Sequence, residues 1–181
     1  MVGDERLRLF CGLRLPDEAI ERLVAWQGAE LRGGRIVPPE NLHVTLAFLG
    51  WRPAGEAAAV GDALRGAAGA AGGRIVFGVG GYRETRSVGM LVLDDEGGRA
   101  GVLAVRLHEL LEAAGVYRRE ERPWLPHLTV LRFRATRPGL RPTLDSLPRE
   151  LLPSDAAVFI SRLRPAGARY EVLETVSLGG R

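Results

Sequence analysis

Hydrophobic and polar positions alternate along residues 6–15 of this 181-residue chain. Leucine or cysteine occupies every odd position from Leu7 to Leu15, whereas the even positions hold Arg8, Phe10, Gly12 and Arg14. Because successive side chains of a strand point to opposite faces, this pattern predicts a half-buried strand. Cys11 lies on the apolar face, and we interpret it as a small core residue rather than a nucleophile.

Three segments have the pattern or composition of helices. The first opens at Pro16, with Asp17 and Glu18 placed where acidic side chains favour the helix dipole. The second, rich in alanine, covers about 55–71, and the third covers about 99–114, with Gly115 as its stop signal. His108 lies beside the leucine stripe of the third helix, and we predict that it lies at the surface or at its boundary.

Six further strands are predicted, at about 42–49, 74–79, 88–93, 127–133, 156–163 and 169–178. A polar loop over 80–87 would join the second and third of them. The last two are separated by Pro165-Ala166-Gly167, which indicates a hairpin. Residues 138–151 read as an irregular segment that contains a short helix.

Two strands carry nearly the same four residues. His43-Val44-Thr45-Leu46 and His127-Leu128-Thr129-Val130 each place a histidine and a threonine on one face and two apolar side chains on the other. A single such motif is weak evidence for function, but two of the three histidines in the chain share this pattern. Two such strands at one cleft would offer two imidazoles and two hydroxyls, a set suited to acid–base chemistry on a phosphate.

The order of elements indicates a diverged internal duplication, because each half has a helix that leads into a motif strand. We therefore predict an α+β fold with two lobes, in which pseudo-symmetric antiparallel sheets flank a central cleft and the helices lie outside. The prediction for domain organisation is a single bilobal domain over residues 1–181.

Composition places the chain among ordinary globular proteins, with 46% hydrophobic and 26% charged residues. No apolar run approaches the roughly 20 residues of a membrane-spanning helix, and the acidic start does not resemble a secretory signal. The single cysteine allows no intramolecular disulfide, so we predict a cytoplasmic protein. All 25 basic side chains are arginine, which a coding bias explains; the net charge of +3 permits an anionic partner without requiring one.

The motifs and their flanks resemble the two-histidine (2H) phosphoesterase superfamily, and within it the RNA 2′,3′-cyclic phosphodiesterases, formerly called 2′-5′ RNA ligases. The resemblance covers nearly the whole chain. Two small departures are Leu131, where the family often has alanine before arginine, and Cys11, which replaces an aliphatic residue. The segments that carry the resemblance are Arg8-Leu9-Phe10 with Leu15-Pro16, Pro39 to Leu46, Pro126 to Val130, Ser161-Arg162-Leu163 and Gly167 to Tyr170.

This resemblance implies hydrolysis of an RNA 2′,3′-cyclic phosphate end to a 2′-phosphate. It implies that His43 donates a proton to the leaving oxygen and that His127 accepts a proton from water. Thr45 and Thr129 would hold the non-bridging phosphate oxygens. Imidazole suits both proton transfers because its ordinary pKa lies near neutrality. No metal or cofactor is implied, and the partner implied is an RNA with a 2′,3′-cyclic phosphate end. A closed two-lobe unit needs no second copy, so we predict a monomer, and the lack of a long apolar run predicts no membrane partner.

Four further residues leave alternatives open. The family places an arginine at the position of Arg132, but strict alternation puts it on the face opposite His127. Either a bulge or the strand twist turns Arg132 towards the phosphate, which we favour, or it pairs with a carboxylate. Phe48 holds the matching place in the first motif strand and is predicted to lie in the core. Tyr170 and Trp124 are compatible either with stacking on a base or with ordinary packing.

Other functions remain possible for the same residues. The reverse reaction would join RNA ends through a 2′-5′ linkage. A non-catalytic module could bind RNA ends in the same cleft, although intact histidines and threonines in both motifs argue against it. A metal-dependent phosphatase would lose activity with a chelator.

Overall fold

The computed structural model describes residues 5–179 as nine strands and three α-helices. The strands are β1 (Arg6–Arg14), β2 (Arg35–Ile36), β3 (His43–Pro53), β4 (Phe77–Glu84), β5 (Val88–Asp95), β6 (His127–Arg132), β7 (Glu150–Leu151), β8 (Asp155–Arg162) and β9 (Arg169–Val176). The helices are α1 (Asp17–Glu30), α2 (Ala57–Ala68) and α3 (Arg99–Ala113).

All strand pairs are antiparallel, and they form one curled sheet in the order β7-β4-β5-β6-β3-β1-β8-β9. The two motif strands, β3 and β6, are neighbours at its centre and are joined by one residue pair, Val44 with Leu128. Beyond that pair β2 takes the place of β3 beside β6. The two predicted half-sheets are thus present and meet at a single point.

The two halves repeat one arrangement around this point. In each half a strand, a helix and a motif strand follow in sequence: β1-α1-β3 in one, β5-α3-β6 in the other, with the two strands paired antiparallel. The apolar face of the strands packs against the buried sides of the helices in one core, which includes Leu9, Val44, Leu128 and Trp26. Cys11 is fully buried in this core, as predicted, and burial raises the pKa of its thiol to about 12.

Several predicted boundaries need correction. β4 continues to Glu84, so the loop to β5 is the short Thr85–Ser87 turn instead of 80–87. The sequence did not indicate the second half of β4, because Gly80 and Gly81 interrupt its apolar pattern. The segment 138–151 contains turns and the two-residue β7 but no helix. The predicted hairpin after β8 and the stop of α3 before Gly115 are confirmed, and Gly115 has the positive φ of 71° that favours glycine.

His108 differs from the expectation of a surface or boundary position. Its side chain is buried, and its Nε2 lies 2.8 Å from the backbone carbonyl oxygen of Leu46. The leucines around His108 in the sequence gave no indication that a backbone carbonyl of β3 would accept a hydrogen bond from its imidazole.

Within the described residues, no helix is both long and apolar enough to cross a membrane.

Candidate active site

The pairing of β3 with β6 brings the two motifs to one cleft of about 700 Å³. The antiparallel pair of Val44 with Leu128 places one motif beside the other. All four side chains line the cleft, whereas Val44 and Leu128 are fully buried behind them.

Both imidazoles are held in the same way by the chain just before each motif. The Nδ1–H of His43 donates to the backbone carbonyl of Asn41 at 2.8 Å, and that of His127 donates to the carbonyl of Leu125 at 2.9 Å. A carbonyl can only accept, so it fixes the proton of a neutral imidazole on Nδ1 and leaves Nε2 for chemistry. Nε2 of His43 then accepts from the hydroxyl of Thr45 at 2.9 Å.

An aromatic cluster forms the wall behind His43. The ring centroid of Phe10 lies 4.8 Å from that of His43, and those of Tyr170 and Phe159 lie 5.4 Å and 5.7 Å away. This surrounding favours the neutral imidazole, because burial removes water from the charged form. Desolvation is the main cause that lowers the pKa of His43 to about 4. The hydrogen bond to Asn41 acts in the opposite direction, and the charges of His127 and Arg132 lower the pKa further by smaller amounts.

This depressed pKa predicts acid sensitivity of the fold. Between pH 6.5 and 4 the unfolded chain binds a proton at His43 that the native protein does not, so the free energy of unfolding falls as the pH falls. We expect a loss of up to about 3 kcal/mol across this window. Denaturant unfolding of the native protein and of His43→Gln at several pH values measures it. Parallel pH curves for the two proteins would contradict the prediction.

A bulge follows the threonine in each motif strand. In the pairing of β5 with β6, Gly89 pairs with Leu131 and Met90 with Thr129, so Val130 is the extra residue. In β3, Leu46 is skipped in the same way. Val130 and Leu131 are therefore both buried, as are Leu46 and Ala47, and alternation resumes one residue late.

These bulges return the fifth residue after each motif histidine to the cleft. Arg132 lines the same cleft as His127 and Thr129, which settles its orientation in favour of the bulge. It makes no ion pair within residues 5–179, so pairing with a carboxylate is not its role there. Phe48 lies at the equivalent place in β3 and is 46% exposed, so the prediction that it lies in the core is wrong.

Two arginines that the sequence did not single out also line the cleft. Arg8 of β1 donates to the hydroxyl of Ser161 at 2.8 Å, and its guanidinium lies 4.6 Å from the ring centroid of Phe48. Arg35 of β2 donates to the carbonyl of Ala166. With Arg132 they give the cleft three cations against one carboxylate, Glu120, among the lining residues that the structure describes. The position of Arg8 on the polar face of β1 was a usable signal, but nothing in the sequence marked Arg35.

Tyr170 and Trp124 have different positions. Tyr170 lines the cleft beside His43, where its ring is available to a ligand. The indole N–H of Trp124 donates to the backbone carbonyl of Thr45 at 2.9 Å, and the ring packs against the main core. Ordinary packing accounts for Trp124, which ties the approach to β6 onto β3.

Gly12 supports His43 from the neighbouring strand. A Cβ at this position would lie 3.1 Å from Cδ2 of His43 and 3.1 Å from the carbonyl oxygen of Val44, closer than most contacts of this kind. The absence of a side chain therefore sets how deep the imidazole sits. The φ of Gly12 is not positive, so another residue could adopt this backbone conformation. The close approach of His43 and Val44 is the reason for glycine here.

We therefore expect Gly12→Ala to lower turnover roughly tenfold, since a shift of even a few tenths of an ångström misplaces the reacting atoms. The melting temperature should change little, because alanine fits a strand better than glycine. Steady-state kinetics with thermal unfolding measures both. Gly81→Ala is the matched control, because a Cβ on that strand glycine meets nothing within 4 Å. Equal activity of the two variants would contradict the argument.

Within residues 5–179, no group of three or more histidine, cysteine, aspartate or glutamate side chains is placed to hold a metal ion. The ligating candidates in the cleft are the two histidines and the lone carboxylate Glu120.

Comparisons with known proteins agree with this architecture. The family model described as LigT-like phosphoesterase matches residues 13–80. The chain is 34% identical to the RNA 2′,3′-cyclic phosphodiesterase of Thermus thermophilus, in an alignment that covers 96% of this chain and 91% of that protein. The crystal structure of TT0787 from Thermus thermophilus matches with a TM-score of 0.74 and 33% identity, over 96% of this chain and 99% of that one. Escherichia coli LigT in complex with 3′-AMP matches in fold, with a TM-score of 0.80 and 24% identity over 96% and 99% of the two chains. The chain belongs to the LigT-like family of 2H phosphoesterases, as its paired motifs predicted.

Proposed function

We propose that this protein hydrolyses the 2′,3′-cyclic phosphate at the end of an RNA to a 2′-phosphomonoester. The observation that carries the proposal is the pair of His-x-Thr motifs, which present two Nε2 atoms and two hydroxyls to one cationic cleft. The activity in the name of the Thermus thermophilus relative, RNA 2′,3′-cyclic phosphodiesterase, supports the same substrate class.

In the proposed reaction, Nε2 of His127 takes a proton from water as the water oxygen forms a bond to phosphorus. The bond between phosphorus and the 3′ oxygen breaks, and that oxygen takes the proton of Nε2 of His43. The net change is addition of water across one P–O bond, and the two imidazoles return to their starting forms by exchange with solvent. Each proton transfer contributes on the order of 10² to 10⁴ in rate.

Thr45, Thr129 and Arg132 stabilise the charge that develops on the non-bridging oxygens. The donors of Thr129 and Arg132 line the cleft before substrate arrives, and the hydroxyl of Thr45 turns from Nε2 of His43 to the phosphate when substrate binds. Arg132 can offer two parallel N–H groups to a phosphate, a geometry that lysine cannot supply.

The depressed pKa of His43 belongs to the substrate-free cleft. A phosphodiester anion beside Nε2 stabilises the imidazolium and raises the pKa, since an opposite charge favours the charged form. In this proposal, substrate binding and protonation of His43 are therefore coupled, and Thr45 transfers its hydrogen bond from Nε2 to the phosphate.

The test is turnover of a short RNA ending in a 2′,3′-cyclic phosphate, with EDTA present and the 2′- and 3′-phosphate products resolved. A 2′-phosphate as the product, formed in the presence of chelator, supports the proposal. A 3′-phosphate would reverse the assignment of the leaving oxygen, and loss of activity with EDTA would favour a metal-dependent phosphatase. Binding without turnover would favour a non-catalytic RNA-end module. Formation of 2′-5′ linkages from RNA fragments would point to the reverse reaction.

A further inference from the structure

Two grooves adjoin the cleft, and they differ in charge. One, of about 470 Å³, runs between the start of β1 and the turn that joins β8 to β9. It is lined by Arg6, Arg8, Arg162 and Arg164, and we call it the arginine groove. It shares Arg8, Ser161 and Leu163 with the cleft, so the two are continuous.

The cations of the arginine groove are largely available to a ligand. Arg162 pairs with Glu171 at 2.9 Å, but Arg6, Arg8 and Arg164 make no ion pair within residues 5–179. Among the described residues no carboxylate lines the groove. Arg6 donates to the backbone carbonyl of Trp51 at 2.9 Å, which holds its guanidinium at the groove while other N–H groups stay free.

An exposed aromatic side chain lies in the same groove. Trp51 is 52% exposed, whereas tryptophan side chains are on average highly buried. Arginines that follow a phosphate backbone, together with an aromatic face on which a base can stack, are the two elements of single-stranded nucleic acid binding sites.

The second groove is less suited to a polyanion. It lies on the opposite side of the cleft, where Arg119 pairs with Glu112 and Arg122 with Glu120, and a further carboxylate, Glu121, lines it. Two of its three lining arginines are therefore paired, and its carboxylates would repel phosphates; the third, Arg83, makes no ion pair within residues 5–179.

We propose that the arginine groove binds the nucleotides that precede the cyclic phosphate end of an RNA strand. This inference rests on the proposed function, because a cyclic phosphate in the cleft is by its chemistry the 3′ end of a chain whose remainder must leave the cleft. The three unpaired arginines hold backbone phosphates, and Trp51 stacks on a base. The substrate class is then single-stranded RNA ends rather than free cyclic mononucleotides.

The experiment compares two substrates: adenosine 2′,3′-cyclic phosphate, which occupies the cleft alone, and a short oligoadenylate with the same terminal group. The double variant Arg6→Gln/Arg164→Gln leaves the cleft residues unchanged. We expect it to lower kcat/KM for the oligonucleotide roughly tenfold while leaving that for the mononucleotide unchanged. The slope of log(kcat/KM) against log[salt] is negative for the oligonucleotide, and it should become less steep by about 0.7 for each phosphate contact removed.

The matched control is Arg141→Gln/Arg149→Gln, which removes the same charge from exposed positions before and beside β7, at the other edge of the sheet. Trp51→Leu tests the stacking contact separately and should also affect only the oligonucleotide. Equal loss on both substrates, no loss on either, or the same loss in the control would overturn the inference.

Failure of the proposed function gives a different result, namely that the unsubstituted protein turns over neither substrate. Fluorescence anisotropy with a labelled oligoadenylate ending in a 2′-phosphate then decides the role of the groove. Weaker binding by the groove variant than by the control supports it, and equal binding overturns it.

Discussion

Alanine at either motif histidine should reduce kcat for a 2′,3′-cyclic phosphate by 10² to 10⁴-fold. Both Nε2 atoms face the cleft, each fixed by a carbonyl on Nδ1, so each substitution removes one proton transfer and leaves phosphate binding largely in place. Single-turnover kinetics with excess protein measures the chemical step. KM should change much less than kcat, because the lost interaction acts in the transition state.

An activated substrate separates the two roles. A phosphodiester with a nitrophenyl leaving group needs no protonation of the departing oxygen, so His43→Ala should recover most of its deficit on it while His127→Ala should not. Recovery by His127→Ala instead would interchange the donor and the acceptor. Recovery by neither variant would assign both histidines to phosphate binding. His108→Ala is not a suitable control, because its imidazole bonds to β3 in the core.

Valine at Thr129 should reduce kcat about 10² to 10³-fold, the usual effect of losing one preorganised donor to a developing oxyanion. Thr129 lines the cleft together with His43 and His127, so its hydroxyl is available to a phosphate bound there. Valine keeps the branched shape that suits a strand, and the melting temperature should change little. Thr45→Val should have a larger effect, since its hydroxyl also bonds to Nε2 of His43.

Kinetics on the cyclic phosphate checks this prediction, with Thr136→Val, in the exposed loop after β6, as the control. A rise in KM alone would mean that Thr129 binds substrate and transition state equally, which contradicts the role proposed for it.

The fold was largely predictable because its signals are local. Alternation identified β1 and both motif strands, a start signal placed the beginning of α1, and a stop signal placed the end of α3 to within a few residues. The errors fall where the pattern is interrupted, at the glycines of β4 and in the proline-containing segment before β7. Proximity of β3 and β6 could be argued only from the repeated motif, since their pairing joins residues far apart in the sequence.

The candidate site was predictable in part for the same reason. A histidine and a threonine two positions apart share a face of any strand, so the four motif residues followed from the period of the strand alone. Arg132 and Phe48 could not be placed this way. A bulge adds a residue only relative to a partner strand, and here the partners are β5 and β1.

The bulge in β6 is itself held by tertiary contacts. The backbone carbonyl of Val130 accepts from the amide N–H of Val37 at 3.1 Å and from the buried side-chain amide of Gln27 at 3.0 Å. Gln27 belongs to α1, and its periodicity there indicates only a buried position. Gln27 holds the bulge that turns Arg132 towards the cleft, and it can do so only after α1 has packed against β6.

The sequence by itself therefore determined the family, the α+β class and the shared face of each His-Thr pair, because these depend on residue identity and on the period of a strand. Only the tertiary structure decided that Arg8 and Arg35 join the cleft, that Arg132 faces it and that His43 has a pKa of about 4. Those properties depend on which distant segments surround a side chain. Desolvation and charge act through space and leave no trace in the order of residues.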